Sequence, residues 1–140
     1  GVTKRAWEEY VGHEVDEATM RGLTPEKVKP FYKSRYWDRI KADNLPSGVD
    51  YAAYDLAVNS GVGRAAKYLQ SIAGVPSDGI IGPKSLEAIN ACPAEEMVDA
   101  MCGMRLEFLK ALPTWDTFGK GWGRRVEEVE AKATEMAKTA

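Results

Sequence analysis

Three groups of side chains in this sequence have types and spacings that can do chemistry: acids, an amide and hydroxyl pair beside glycine, and aromatic rings beside cations. Glu8 and Glu9 are the first acids along the chain. Two carboxylates share acid–base work only when they converge on one point, and neighbouring helical positions point about 100° apart, so this pair makes a poor common site. Asp55 stands alone among Tyr51, Tyr54, Leu56 and Val58. An acid in such a run either is a structural carboxylate satisfied by hydrogen bonds or faces a cleft. Asn59-Ser60-Gly61 follows one turn later. The Asn59 amide can donate and the glycine lets a ligand approach the backbone, while the same triplet reads equally well as a helix C-cap.

Tyr36 and Trp37 offer flat faces at a helix end, where aromatic residues also serve as core. Trp115, Phe118 and Trp122 alternate with Gly119, Gly121 and Gly123, either as a stacking platform or as a packed cover over the core. Lys120, Arg124 and Arg125 add positive charge beside them, suited to carboxylates or simply solvated at a helix start. His13 has no Cys or His near it at ligand spacing, which argues against a metal site. Cys92 and Cys102 fall at the two ends of about 15 Å of helix, too far apart for a disulfide, and read as free thiols.

Helices must position these groups. Thr3 caps a first helix over Lys4–Val11 that stops at Gly12. Val15 to Leu23 reads as a connector. Thr24-Pro25-Glu26 opens a second helix to about Trp37, with a kink or later start at Pro30. Asn44 to Gly48 is turn chemistry, and a mostly buried helix starts at Val49. It meets the next, from Arg64 to Gly74, at Asn59-Ser60-Gly61-Val62-Gly63. Pro76 to Gly79 is a turn and Ile80-Ile81 a brief extended piece. Gly82-Pro83 opens a helix through Ile89, and Pro93 to about Leu112 is the longest helix expected. Thr114 to Gly123 is the aromatic and glycine segment, and Arg124 to Ala140 a final helix with Val126, Val129, Ala133 and Met136 on its stripe. The expected fold is all-α, with at most one very short β element.

The order and spacing of Gly1-Val2-Thr3, Tyr36-Trp37-Asp38, Val49-Asp50-Tyr51, Asn59-Ser60-Gly61 with Gly63-Arg64-Ala65-Ala66, Asp78-Gly79-Ile80-Ile81-Gly82-Pro83-Lys84 and Gly121-Trp122-Gly123-Arg124-Arg125 resemble glycoside hydrolase family 108 over nearly the whole chain. The resemblance implies a lysozyme-like helical domain with N-acetylmuramidase activity, cleaving the β-1,4 bond between N-acetylmuramic acid and N-acetylglucosamine in peptidoglycan. It implies residues 1–48 as the remainder of the hydrolase part and 49–140 as a peptidoglycan-binding-like part of one domain. It also implies a general-acid glutamate in a Glu-Gly-Gly-Tyr motif upstream of the segment matched by Gly1-Val2-Thr3, so the chain is expected to be a fragment without its acid. Thr3 resembles the threonine beside the nucleophilic water in phage-type lysozymes, a role compatible with N-capping. Asn59-Ser60-Gly61 resembles their Asn-x-Gly cleft turn, which would make Asn59, Ser60 and Gly61, with Asp55, Tyr36 and Trp37, substrate-binding candidates. The Asp78 to Lys84 segment resembles the Asp-Gly-x-x-Gly-Pro turn of peptidoglycan-binding modules.

Bulk properties bound the rest. The 140 residues, 44% hydrophobic, suit one globular domain. Nineteen basic against 21 acidic residues give a net charge of −2, with no global field to draw in nucleic acid, and no apolar run is long enough for a membrane span. The expected partner is the peptidoglycan glycan strand, with no cofactor and no metal. The expected place of action is the periplasm or cell wall, for a bacterial or phage protein reaching it by export or lysis. Two other readings stand beside the enzyme: a non-catalytic wall-binding or structural module, and a helical protein-interaction domain, which would leave the glycine and Asn turn spacings unexplained.

Overall fold

Side-chain caps set the first three helix starts. The computed structural model describes residues 2–139, so Gly1 of the Gly1-Val2-Thr3 segment lies outside the described residues. Among the described residues there are eight α-helices and no strand: α1 Lys4–Val11, α2 Glu17–Arg21, α3 Pro25–Tyr32, α4 Val49–Ser60, α5 Val62–Ala73, α6 Pro83–Asn90, α7 Ala94–Lys110 and α8 Trp115–Thr139. The all-α expectation holds, and Ile80-Ile81 makes no β element. Thr3 and Thr24 accept from the backbone N–H three residues on, at Ala6 and Lys27.

Three sequence expectations are corrected. The connector from Val15 to Leu23 contains α2, because Asp16 accepts from the Thr19 N–H at 2.8 Å and its carboxylate suits the positive end of a helix; this capping holds the Asp16 carboxyl below its ordinary pKa. The helix expected from Pro25 to Trp37 is α through Tyr32 and π-helical over Lys33–Trp37. Pro30 supplies no N–H, yet the α-helix runs on past it to Tyr32, and the Lys33 N–H bonds the Lys29 carbonyl. The longest helix is α8, of 25 residues, not α7. Its glycines do not break it because packing overrides propensity: the Trp115 ring lies over Gly119 so closely that a Cβ there would sit 2.6 Å from Cε2.

The chain forms two compact units, residues 1–35 and 36–140. The first is held by an aromatic cluster in which Trp7 and Phe31 are buried and Tyr10 meets the Phe31 ring edge-on at 5.5 Å. The second has a continuous core including Leu56, Leu69, Ile89, Met97, Met101 and Val129. Within it α7 and α8 pack as a hairpin, with α4 against both and α5 against α4, α6 and α7.

Candidate functional site

A buried carboxylate is expensive unless cations and hydrogen bonds replace the water it loses. Asp55, 6% exposed on α4, meets that need with two guanidinium groups. Arg105 of α7 donates from Nη1 to Oδ2 at 2.6 Å, and Arg125 of α8 donates from Nη2 to Oδ1. Arg105 is itself only 5% exposed, whereas half of the Arg125 side chain reaches solvent. The hydrogen bond to Asp55 raises the Arg125 pKa above its ordinary value. Asp55 therefore ties α4, α7 and α8 together, and its carboxylate is engaged by protein groups on both oxygens.

Asn59 sits one turn on, with its amide nitrogen 2.8 Å from the Asp55 carbonyl and 3.4 Å from Oδ2. Ser60 ends α4, and Gly61 alone separates it from α5. The turn is tighter than expected, since Asn59 and Ser60 remain helical and Val62 already opens α5. Gly61 has φ +101° and ψ 146°, backbone that side chains rarely adopt, yet an added Cβ would meet nothing within 4 Å. Backbone geometry rather than crowding requires glycine there.

Beside this turn lies a cavity of about 340 Å³ lined by Asn59, Ser60, Arg64, Arg105, Phe108, Leu109, Leu112, Trp122 and Arg125. The Arg64 guanidinium rests 3.7 Å from the centre of the Phe108 ring, within cation–π range. Trp122 is stacked on half-exposed Phe118 at 5.4 Å. The Nε atoms of Arg64 and Arg105 are buried without a hydrogen-bond partner. Three guanidiniums face one carboxylate, so the site carries an excess of two positive charges and can hold an anion with an apolar or ring-shaped body.

The other candidates fall elsewhere. Tyr36 and Trp37 are half-buried against the core of the second unit; Trp37 donates from Nε1 to Asp43 at 2.8 Å and meets the Tyr54 ring at 5.6 Å. They do not line the cavity. Thr3 is exposed in the first unit as the cap of α1. Glu8 accepts from the Val15 N–H at 2.9 Å, and Glu9 pairs with Arg5 and Arg35. The Asp78 to Lys84 turn is organised by a residue the sequence reading passed over, Gln70 of α5. Wholly buried, it shares its two amide N–H donors among Asp78, Ile80 and Ser85, all within hydrogen-bond distance of Nε2, and accepts from the Gly79 N–H. The Ile80 N–H, with help from Gln70, lowers the Asp78 pKa.

Sequence reasoning also missed Arg64, Arg105 and Phe108. Arg105 did leave a signal: Met97, Met101 and Leu109 mark a buried stripe at four-residue spacing, and Arg105 falls within it. A cation there needs a buried counter-charge, and Asp55 was the one internal acid noticed. Cys92 and Cys102 are free, and burial pushes the Cys102 thiol up to about 12. Among the described residues no group of three or more His, Cys, Asp or Glu is placed to hold a metal, and no helix is long and apolar enough to cross a membrane.

Residues 1–61 match the family model described as glycosyl hydrolase 108, and residues 64–127 match the one described as a predicted peptidoglycan domain. Among solved structures the chain is similar to Brucella abortus SagA, with 39% identity, a TM-score of 0.88, and coverage of 97% of this chain and 78% of that one. No curated protein matches. The two family models meet at the Gly61 turn, so the cavity draws Asn59 and Ser60 from the first and its arginines and aromatic residues from the second.

Proposed function

The chain belongs to glycosyl hydrolase family 108, a peptidoglycan-related hydrolase family, and from that premise we propose that the protein cleaves the β-1,4 bond between N-acetylmuramic acid and N-acetylglucosamine in bacterial cell-wall glycan strands. The observation that carries this reading is the tandem of a glycosyl hydrolase match and a peptidoglycan-domain match that join at the rim of one cationic, aromatic-lined cavity.

Hydrolysis of a glycosidic bond needs a protonated carboxyl at the leaving oxygen and a water or carboxylate on the opposite face of the sugar. Glu8 accepts from the Val15 N–H, Glu9 pairs with arginines, and Asp55 is engaged on both oxygens by guanidiniums, so each is occupied by protein groups rather than open to a leaving oxygen. In this reading the acid is a glutamate in a Glu-Gly-Gly-Tyr motif, a motif that does not occur in these 140 residues. Thr3 positions the water: its oxygen accepts from Ala6 while its hydroxyl proton stays available. Asn59, Ser60 and Gly61 line the glycan path, and one of Tyr36 and Trp37 stacks on a sugar. Residues 1–48 serve the hydrolase part and 49–140 the wall-binding part of one lysozyme-like domain, acting at the periplasm or cell wall after export or lysis-linked release.

The same engagement of the acids favours a second reading for these residues taken alone, a wall-binding module that does not cleave. Reading the coding sequence upstream of Gly1 for Glu-Gly-Gly-Tyr, and comparing reducing-sugar release from purified sacculi, separates the two. A longer chain carrying the motif is expected to release sugar, and the 140-residue form far less. Equal release by both forms means that the general acid has been misassigned. No motif and no release by any form leaves only the binding module.

A further inference from the structure

We propose that the cavity between the α4–α5 turn and helices α7 and α8 is a carboxylate-binding subsite, taking the charged end of a peptidoglycan fragment rather than its neutral sugar face. The inference rests on the peptidoglycan reading above for the ligand class, and on this cavity alone for the chemistry.

Three observations point to an anion. Asp55 accounts for one nitrogen each of Arg105 and Arg125 and leaves two positive charges in excess, because the cavity wall itself contributes three arginines and no acid. Arg105, 95% buried, keeps an Nε–H without a partner, and so does Arg64. Buried guanidinium N–H groups are costly to leave unmade, which marks a place where a ligand oxygen completes the set. Arg64 is also pre-oriented: stacked on Phe108, its planar fork is fixed before any ligand arrives, so less side-chain freedom is lost on binding.

Two more observations narrow the ligand. The cavity, at about 340 Å³, is near the small end of ligand pockets, which run from roughly 300 to 1,000 Å³. It suits the end of a chain, not a whole disaccharide-peptide. Trp122, Leu109 and Leu112 supply apolar wall on which a short side chain or the edge of a sugar ring can rest. The shared chemistry is thus a carboxylate on a small, partly apolar body. In a wall fragment it comes either from the peptide stem or, where the stem has been removed, from the lactyl group of N-acetylmuramic acid.

Calorimetric titration of the purified protein with three probes tests this: the disaccharide-tetrapeptide, the same compound with every carboxylate amidated, and the stemless disaccharide. Tight binding of the first, with about tenfold or greater loss on amidation and a similar loss in Arg64→Gln, is expected for a charge-assisted contact. Arg64→Lys should recover only part, since it keeps the charge but loses the stacked fork. The stemless disaccharide carries the lactyl carboxylate free, so if it binds as well as the first probe, either carboxylate fills the subsite; if it binds much more weakly, the subsite takes the peptide stem. Unchanged affinity after amidation overturns the subsite, and that measurement uses the unmodified protein, so it stands even if Arg64→Gln fails to fold. Sacculus pull-down keeps the two levels apart. Retention on sacculi with no effect of amidation sinks the subsite alone, whereas no retention and no binding of any probe sinks the peptidoglycan reading with it.

Discussion

Asp55→Asn is expected to cost this protein about 3 kcal/mol, more than any surface charge could. The figure follows from the unequal surroundings of its two partners. Arg125 is half exposed, so losing its ion pair returns it to water at a cost of about 1 kcal/mol or less. Arg105 has no such escape: with side-chain exposure of 6%, it would be left as a buried cation without its counter-charge, the situation in which breaking a pair costs about 3–5 kcal/mol. Asparagine keeps one carbonyl acceptor for one guanidinium, which places the estimate at the lower end, near 3 kcal/mol. Urea unfolding followed by circular dichroism is the assay. With a slope of about 1.5–2 kcal/mol per molar, the midpoint should fall by about 1.5–2 M with the slope unchanged.

The companion variants make the reasoning falsifiable. Arg125→Gln should move the midpoint by about 0.7 M or less, while Asp55→Leu combined with Arg105→Met removes both buried charges and should recover most of the loss seen in Asp55→Leu alone. Additive costs in that double variant, or an Asp55→Asn midpoint within about 0.3 M of wild type, would refute the idea that Asp55 is the counter-charge that makes Arg105 tolerable in the core.

Gly119→Ala should destabilise by about 1–3 kcal/mol, since its Cβ would collide with the Trp115 ring, whereas Gly121→Ala, with nothing within 4 Å of its Cβ, should gain about 0.5–1 kcal/mol from helix propensity; thermal melts that rank the two the other way contradict the packing argument. Gln70→Leu leaves the Gly79 N–H, the Ile80 carbonyl and the Ser85 hydroxyl without their shared partner and should cost about 2–4 kcal/mol. Amide exchange at Gly79 should accelerate in a Gln70→Leu sample that is still folded; unchanged protection would mean that Gln70 does not hold the turn. Glu130→Gln should stabilise by about 0.5 kcal/mol at pH 7. Partial burial and the neighbouring Asp99 raise the Glu130 pKa above its ordinary value of 4.5, so its ionised form opposes folding above the raised folded-state pKa. That opposition fades as pH falls toward the unfolded value. The gain should therefore shrink in melts taken below about pH 4.5, and a gain that instead grows toward acid has the sign wrong.

Local chemistry made much of the fold legible. Thr3, Thr24-Pro25 and Gly82-Pro83 fix helix starts through groups within three residues of the end, and the structure has helices starting at Lys4, Pro25 and Pro83. What escaped was decided by distant partners or outweighed locally. Asp16 with Thr19 carries a cap signal, but the five-residue helix it opens has no apolar stripe to announce it. The glycines of α8 read as a break because propensity alone does not show that the Trp115 ring will cover Gly119 and that α8 as a whole will pack along α7. The same limit governs the candidate site: Asp55, Asn59, Ser60, Trp122 and Arg125 were singled out, but their convergence with Arg64 and Arg105 joins positions up to 70 residues apart.

That convergence explains why an ion-pair network is worth its desolvation cost here. An apolar junction of α4, α7 and α8 could be as stable, but it would leave the Gly61 turn facing a greasy wall. With Asp55 neutralising only part of the charge of Arg105 and Arg125, the network holds three helices in register and keeps both guanidinium-bearing residues on the cavity wall. Fixing the helices and presenting charge are then one arrangement, and they can be separated by experiment. Asp55→Asn should weaken the fold while raising the net positive charge of the cavity. If enough protein stays folded in low urea or at low temperature, its affinity per folded molecule for the disaccharide-tetrapeptide should be equal to or greater than wild type. A variant that is fully folded yet binds less would mean that the carboxylate, not the cations, is what the ligand meets.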